Sequence, residues 1–466
     1  MPETQNKFHN DLTSGSVSER LLKFSLPFLG AMLFQALYNV ADMVIVGWYE
    51  GSIGISGVGI GGQVAILITN LIIGLANGGT VLIAQYSGAR QFDEQKKTIG
   101  TLFSLYGLFA LALTAILLPL VPSILNVLKT PVESYAIARD YLYICIGGTV
   151  LIFGYNAVSS VLRGMGNSKA PMAFVGIAAS ANVVLDILFV GPVGMGAAGA
   201  ALATVVSQAL SLVLSVIYLA RKSFIFDFKP KSFKIHADKV RLLVKLGLPT
   251  GLQNLCVSFS FLILTSLANS LSVYSSAAFN IGLKVNSFAI LPGIAIGQSI
   301  ASMCGQNIGA GLYDRAMHTM KVGLALNLLI TAIVGAFIVL FPDVIMGLFN
   351  ADVQTVVEGA DFLRCLAADA LVSSVVFSFN GLFLGGGHSV ATLFNAALTS
   401  IILRAPLAYF FVNALHLKLI GIGIAVTLAP LGGILFGLFF IKSGRWKVNK
   451  AQQRLAELGA LPDGSV

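Results

Sequence analysis

The sequence predicts an all-α integral membrane protein with twelve spanning helices, arranged as two pseudo-symmetric six-helix bundles. Three observations lead there. The chain is 56% hydrophobic and only 11% charged, with a mean hydropathy of +0.87 over 466 residues, far from the composition of domains that fold in water. Apolar runs long enough to cross a bilayer, roughly 20 residues, recur along the whole chain. Polar loop motifs of the first half reappear in the same order in the second.

The runs of the first half lie near 24–48, 58–86, 99–121, 139–161, 171–191 and 197–220, and those of the second near 243–270, 277–304, 321–341, 360–384, 392–414 and 419–441. The segment before the first run, "MPETQNKFHNDLTSGSVSERLLK", has no apolar stretch followed by a small-residue cleavage site, so the first helix is expected to stay in the mature protein. Most of the 29 Lys and Arg fall in alternate connections, which are the ones retained on the cytoplasmic side. Both termini are therefore expected in the cytoplasm, and the protein in the cell inner membrane.

The formal charge of +9 is accordingly a topology signal and not a nucleic-acid footprint. The most basic connection, "ARKSFIFDFKPKSFKIHADKVRLLVK" (Ala220 to Lys245), divides the chain almost in half, giving lobes 1–228 and 229–466. Cys145, Cys256, Cys304 and Cys365 all fall inside predicted helices without metal-ligand spacing and are read as packing residues.

The halves repeat each other. "LLKFSLP" (Leu21 to Pro27) matches "LVKLGLP" (Leu243 to Pro249), and "AQYSGARQFD" (Ala84 to Asp93) matches "GQNIGAGLYD" (Gly305 to Asp314). "RDYLYI" (Arg139 to Ile144) faces "ADFLRC" (Ala360 to Cys365), and "LRGMGNS" (Leu162 to Ser168) faces "FLGGGHS" (Phe383 to Ser389). An even number of helices per half makes the repeats parallel, a transporter architecture.

Gly194, Gly196 and Gly199 in "GPVGMGAAGAALAT" have the G-x-G-x-x-G spacing of a dinucleotide turn. That turn needs a preceding strand and an acid about 20 residues on. Here a spanning helix precedes it, and the positions that should hold the acid read "YLARKS". The glycines are read as a tight turn followed by a small-residue packing face.

Function in such a chain rests on polar exceptions at bilayer depth, where an ionisable group costs at least ~2.5–3.5 kcal/mol unless it has a cavity or partner. Within the predicted helices these are Asp42, Asp186, Lys284, Asp369 and Arg404. Asp42 and Asp186 each lie about five residues, ~7 Å, from the outer end of their runs. Asn182 shares a face with Asp186, and Thr204 enters from the outer end of the sixth run. Two carboxylates with neutral oxygens can share a proton or hold a hard cation, a transient Na⁺ at Asp42, Asp186 and Asn182 being one form. A purely structural bond between neighbouring helices is the alternative.

From about Ser18 to Lys442 the chain resembles the MATE multidrug and toxic compound extrusion transporters. The resemblance rests on "YNVAD" with its following glycine, the twin loops "AQYSGAR" and "GQNIGAG", "LRGMGNSKAP", "NVVLD" and the duplication. Within that family it is most similar to the bacterial and archaeal branch named for DNA-damage-inducible transporters. The resemblance implies the MATE fold and efflux of drug-like, often cationic compounds in exchange for H⁺ or Na⁺, with no other cofactor. It also implies a coupling network of Asp42, Tyr141, Asn156, Asn182, Asp186 and Thr204. Tyr141 reads equally as an interfacial aromatic, and Asn156 counts as deeper than the rest.

Another branch of that family carries a helix-7 glutamate where "LPTGLQNLCVSFSF" offers Gln253 and Asn254, which puts a second cation site in doubt. Asp369 is expected either to line the cleft or to pair with Arg404, pairing being the favoured role of Arg404; Lys284 has no assigned role. Pro27 and Gly30 are a candidate bend in the first helix, functional or a plain kink. Phe34, Tyr38, Phe153 and Phe288 suit an organic cation through burial and cation–π contact, although such residues more often pack. The expected cycle is alternating access by a monomer whose partners are a small-molecule substrate and membrane lipid. The alternative is a flippase for lipid-linked or other amphiphilic substrates, against which stands the scarcity of cationic residues in the helices. An enzyme is not expected: His9, His236, His318, His388 and His416 lie outside the helices or at their ends.

Overall fold

The computed structural model describes residues 10–221, 224–349 and 352–447, and these are helical almost throughout. In chain order the spanning elements are α1 (Val17–Gly51), α2 (Ile53–Gly88), α3 (Phe92–Val127), α4 (Val132–Gly147 with Thr149–Gly164), α5 (Lys169–Val190) and α6 (Gly196–Arg221). They continue with α7 (Ala237–Asn269), α8 (Val273–Gly309), α9 (Tyr313–Leu340), α10 (Val353–Gly385), α11 (Ser389–Asn413) and α12 (Lys418–Lys442). Each expected run has its helix, most of them longer than the apolar window. The extensions are polar first turns, where Glu19, Asp93 with Glu94, Asp238 and Asp314 complement the helix dipoles of α1, α3, α7 and α9.

Local chemistry explains the departures from straight helices. The break between α1 and α2 falls at Gly51, the last residue of α1, with φ 60° and ψ −150°, a conformation that side chains exclude. The halves of α4 meet at 49°. The junction residue Gly148 lies so close to α6 that a Cβ there would clash with the Val205 side chain. In α11, Leu398–Arg404 is wound as a π-helix.

The duplication is visible in backbone geometry. Arg90 and Gly311, at matching positions of the first loop pair, have φ 56° and 75°; Gly166 and Gly387, in the second pair, have φ 79° and 81°. The next residues close both loops alike: Asn167 N donates to Leu162 O, and His388 N to Phe383 O, each at 2.8 Å. These are helix C-termini satisfied by a left-handed residue.

The contacts form two compact units, divided otherwise than at residues 228 and 229. The first holds Gly30–Gly247 and the described residues up to Asp11, and the second holds Leu12–Leu29 and the described residues of Leu248–Val466. The start of α7 stays with the first unit because Lys239, fully buried, bonds Glu94 at 2.5 Å and the Tyr86 hydroxyl at 2.9 Å. The segment before it packs Phe226, Phe228 and Phe233 around Phe103. The start of α1 joins the second unit in the same way. Leu12, Val17 and Leu21 enter a core with Ile300, Met303 and Phe383, and Arg315 Nη2 donates to Ser14 O at 2.9 Å. Both helices thus pass from one unit to the other within two residues of a proline, Pro27 in α1 and Pro249 in α7.

Candidate functional site

Within the first unit, α1, α5 and α6 bring four of the candidate residues together. Asp42 is 6% exposed, Asn182 1% and Asp186 0%. Thr204 Oγ1 donates to Asp42 Oδ2 at 3.2 Å, and Asn182 Nδ2 donates to Thr204 Oγ1 at 3.5 Å. Asp42 and Asp186 act directly on each other. Asp42 Oδ1, both Asp186 carboxyl oxygens and Asn182 Oδ1 are buried and have no donor. Buried acceptors are normally satisfied, so this concentration of four oxygens around two carboxyl groups is chemically unfinished.

Tyr141 of α4 is buried beside this cluster, next to Cys145 and against Gly61 of α2, where a Cβ would stand 2.7 Å from its ring. It is an interior residue. Asn156 is different. Its amide donates to Ile152 O of its own helix at 2.8 Å and makes no hydrogen bond with the other five residues of the expected network. Tyr38, read from the sequence as a packing or substrate aromatic, is buried one turn before Asp42 on the same face. Its i−4 spacing was the signal for this proximity.

The helix runs through Pro27 and Gly30 without non-helical backbone, the break in α1–α2 being Gly51. Gly30 admits Met172 of α5, whose sulfur lies 3.0 Å from where a Cβ would be. Of the other aromatics, Phe153 is core, packed on Tyr106 and Phe109, whereas Phe34 and Phe288 are exposed.

In the second unit the expected pairing of Arg404 with Asp369 is not formed. Both are buried and each charge acts on the other, yet no N···O contact of 4.0 Å or less joins them. Asp369 Oδ1 accepts from Ser373 Oγ at 2.9 Å, and the Arg404 guanidinium lies over the Phe261 ring at 4.9 Å. Arg404 ends the π-wound turn Leu398–Arg404, which the sequence does not announce. Lys284 is exposed on α8, and Gln253 is half-buried on α7. The helices also contain charges that hydropathy assigned to loops, Lys239 and Glu94 foremost. Among the described histidines, His236, His388 and His416 flank helices, and His318 lies near the start of α9; His9 lies outside the described residues.

Twelve spans, a duplicated six-helix plan and a buried carboxylate pair define a multi-pass membrane protein of the transporter class. The MatE family model matches it twice, over residues 27–188 and 249–410, once in each half, and the chain belongs to that family. It is 27% identical to the probable multidrug resistance protein YpnP of Bacillus subtilis, over 94% of this chain and 98% of that protein. It is 26% identical to the probable multidrug resistance protein NorM of Thermotoga maritima, over 97% and 99% respectively. A MOP superfamily transporter from Pyrococcus furiosus superposes with a TM-score of 0.89 at 23% identity, covering 96% of this chain and 100% of that one.

Proposed function

We propose that the chain is a secondary active multidrug efflux transporter that exchanges drug-like, often cationic compounds for H⁺ or Na⁺ by alternating access. The observation that carries this reading is the set of four donorless buried oxygens on Asp42, Asp186 and Asn182. Two close carboxylates in a low dielectric resist joint ionisation, and hard cations take oxygen ligands. The site therefore gains most from a shared proton or from a cation held between Asp42 and Asp186. Thr204 already donates to Asp42 and has a lone pair free to turn toward a bound cation. The names of the relatives support drug efflux as the use to which this is put.

In this account the coupling ion is a transported species, and the working unit is a monomer in the cell inner membrane with both termini cytoplasmic. Ion and substrate must favour different states of the cycle, since a ligand with equal affinity for both shifts nothing. Ion entry at Asp42 and Asp186 halves the charge of the pair, relaxes the repulsion between the carboxylates and favours substrate release outward.

The test uses purified protein in liposomes loaded with a fluorescent organic cation, with pH and Na⁺ gradients imposed separately. Movement of the cation under one gradient, lost in Asp42→Asn, is the expected result. Gradient-driven transport that survives Asp42→Asn would remove the site from the mechanism.

A further inference from the structure

The connection between α6 and α7 is a built structure that the transport account leaves unused. It is bonded along α3 within the first unit. Ser104 Oγ of α3 donates to Phe233 O at 2.9 Å, while Thr101 Oγ1 donates to Lys234 O and accepts from His236 N, both at 3.2 Å. A Cβ at Gly100 would clash with Ser232 O, so backbone meets backbone there. Asp227 accepts from Ser232 Oγ and Lys229 N and closes the turn that leads in.

The place of this strap on α3 sets what it meets. Ser104 lies one and two turns before Leu108 and Leu111 on one face of the helix, and those leucines are 56% and 58% exposed. In a spanning helix such a face meets acyl chains. The strap therefore crosses α3 at the headgroup end of its lipid-facing side. Phe233 and Ile235 are apolar and exposed there, at 37% and 50%. Between and beside them Lys229, Lys231 and Lys234 are exposed cations, and Arg241 is exposed on the side of α7 opposite the buried Lys239. Lys229 has Asp227 at 3.9 Å, but Lys231, Lys234 and Arg241 have no acid within 4.0 Å among the described residues.

A neutral lipid would cover the apolar pair and leave these cations without a counter-charge. A soluble anion would answer the cations and leave Phe233 and Ile235 in water. An acidic phospholipid answers both, since basic segments beside a spanning helix attract anionic headgroups. We propose that the α6–α7 connection is a binding surface for acidic phospholipid. Lys231, Lys234 and Arg241 hold the headgroup, and Phe233 and Ile235 lie among the first methylenes of the chains.

The test reads lipid alone, so its outcome is separate from that of the ion-coupling site. Ile235→Trp in the full chain places an indole at the surface, and its quenching by dibrominated phosphatidylglycerol is compared with that by dibrominated phosphatidylcholine. The quenching of Trp48 and Trp446 in the parent protein is subtracted. Phosphatidylglycerol should quench at the lower mole fraction. Lys231→Gln and Lys234→Gln should each reduce that preference about fivefold, the share of one cation at a charged membrane surface. Lys442→Gln, Arg445→Gln and Lys447→Gln together remove three exposed cations from the second unit and should leave it within about twofold. High salt should weaken the preference by screening, and excess inorganic phosphate should not.

No preference in wild type, equal losses from the two sets of variants, or displacement by inorganic phosphate would overturn the assignment. If Ile235→Trp does not fold, phosphatidylglycerol retained through purification and counted by native mass spectrometry gives the same comparison. Equal retention by wild type and by the Lys231→Gln, Lys234→Gln double variant would likewise overturn it.

Discussion

Replacing Lys239 by alanine probes a fully buried charge outside the carboxylate cluster. Its ammonium reaches Glu94 at 2.5 Å and the Tyr86 hydroxyl at 2.9 Å, and it lies 4.7 Å from the centre of the Tyr86 ring. Removing one partner of a buried ion pair typically costs ~3–5 kcal/mol, mainly because the other charge is stranded. Here Glu94 keeps Lys97 at 2.8 Å and its side chain is 21% exposed, so water and a second cation limit that penalty. A cost of about 2–3 kcal/mol remains after this discount.

The effect should be local, freeing the first turns of α7 from α2 and α3. Amide exchange over residues 237–247, followed by mass spectrometry in detergent, should accelerate about 30- to 150-fold. A cycle with Glu94→Ala should be non-additive by more than ~0.5 kcal/mol. Exchange within about threefold of wild type, or an additive cycle, would refute the argument that this ion pair anchors α7 to the first unit.

Asn156→Ala should leave the dependence of transport on the coupling ion within about twofold of wild type, because its amide donates to Ile152 O and it makes no hydrogen bond with the other five residues. Measured ion dependence as weak as that of Asp42→Asn would return Asn156 to the network. Gly166→Ala and Gly387→Ala each force a side chain into a left-handed conformation and should destabilise by ~1–2 kcal/mol, seen as lower thermal stability in detergent. Matching losses at the two positions are expected from the duplicated geometry. Asp352 caps α10 by accepting from Thr355 N and Oγ1, and these bonds hold its carboxyl below the ordinary range. Its contribution is therefore present above the unfolded carboxylate pKa and fades as pH falls through the lower folded value. Amide exchange at Thr355 should rise in Asp352→Ala at neutral pH, and wild type should approach the variant only in acid.

Much of this was legible in the sequence because it depends on local patterns. Apolar length announced the helices, loop motifs at a fixed spacing announced the repeat, and Asp42 with Asp186 stood out because carboxylates are costly at that depth. What escaped depends on distant partners. Lys239 reads as a solvated linker lysine, and only Glu94 and Tyr86, brought from far along the chain, bury it. The division of α1 and α7 between units is invisible to hydropathy, which sees one continuous run through each proline. Arg404 was read on charge as a partner of Asp369, with a place in the cleft as the alternative for Asp369, and the π-wound turn that ends at Arg404 leaves no composition signal. Asn156 has the right side chain for the network and the wrong partner, a difference that residue type cannot express.

In the proposed cycle Asp42 and Asp186 hold the coupling ion and surrender it when substrate binds. The most direct measurement is ion exchange on substrate binding: proton release by calorimetry in buffers of different ionisation enthalpy, with ²²Na⁺ displacement beside it. Binding of an organic cation to wild type should release H⁺ or Na⁺, and Asp42→Asn should bind with no release. Identical release from both proteins, or none from wild type, would contradict the account.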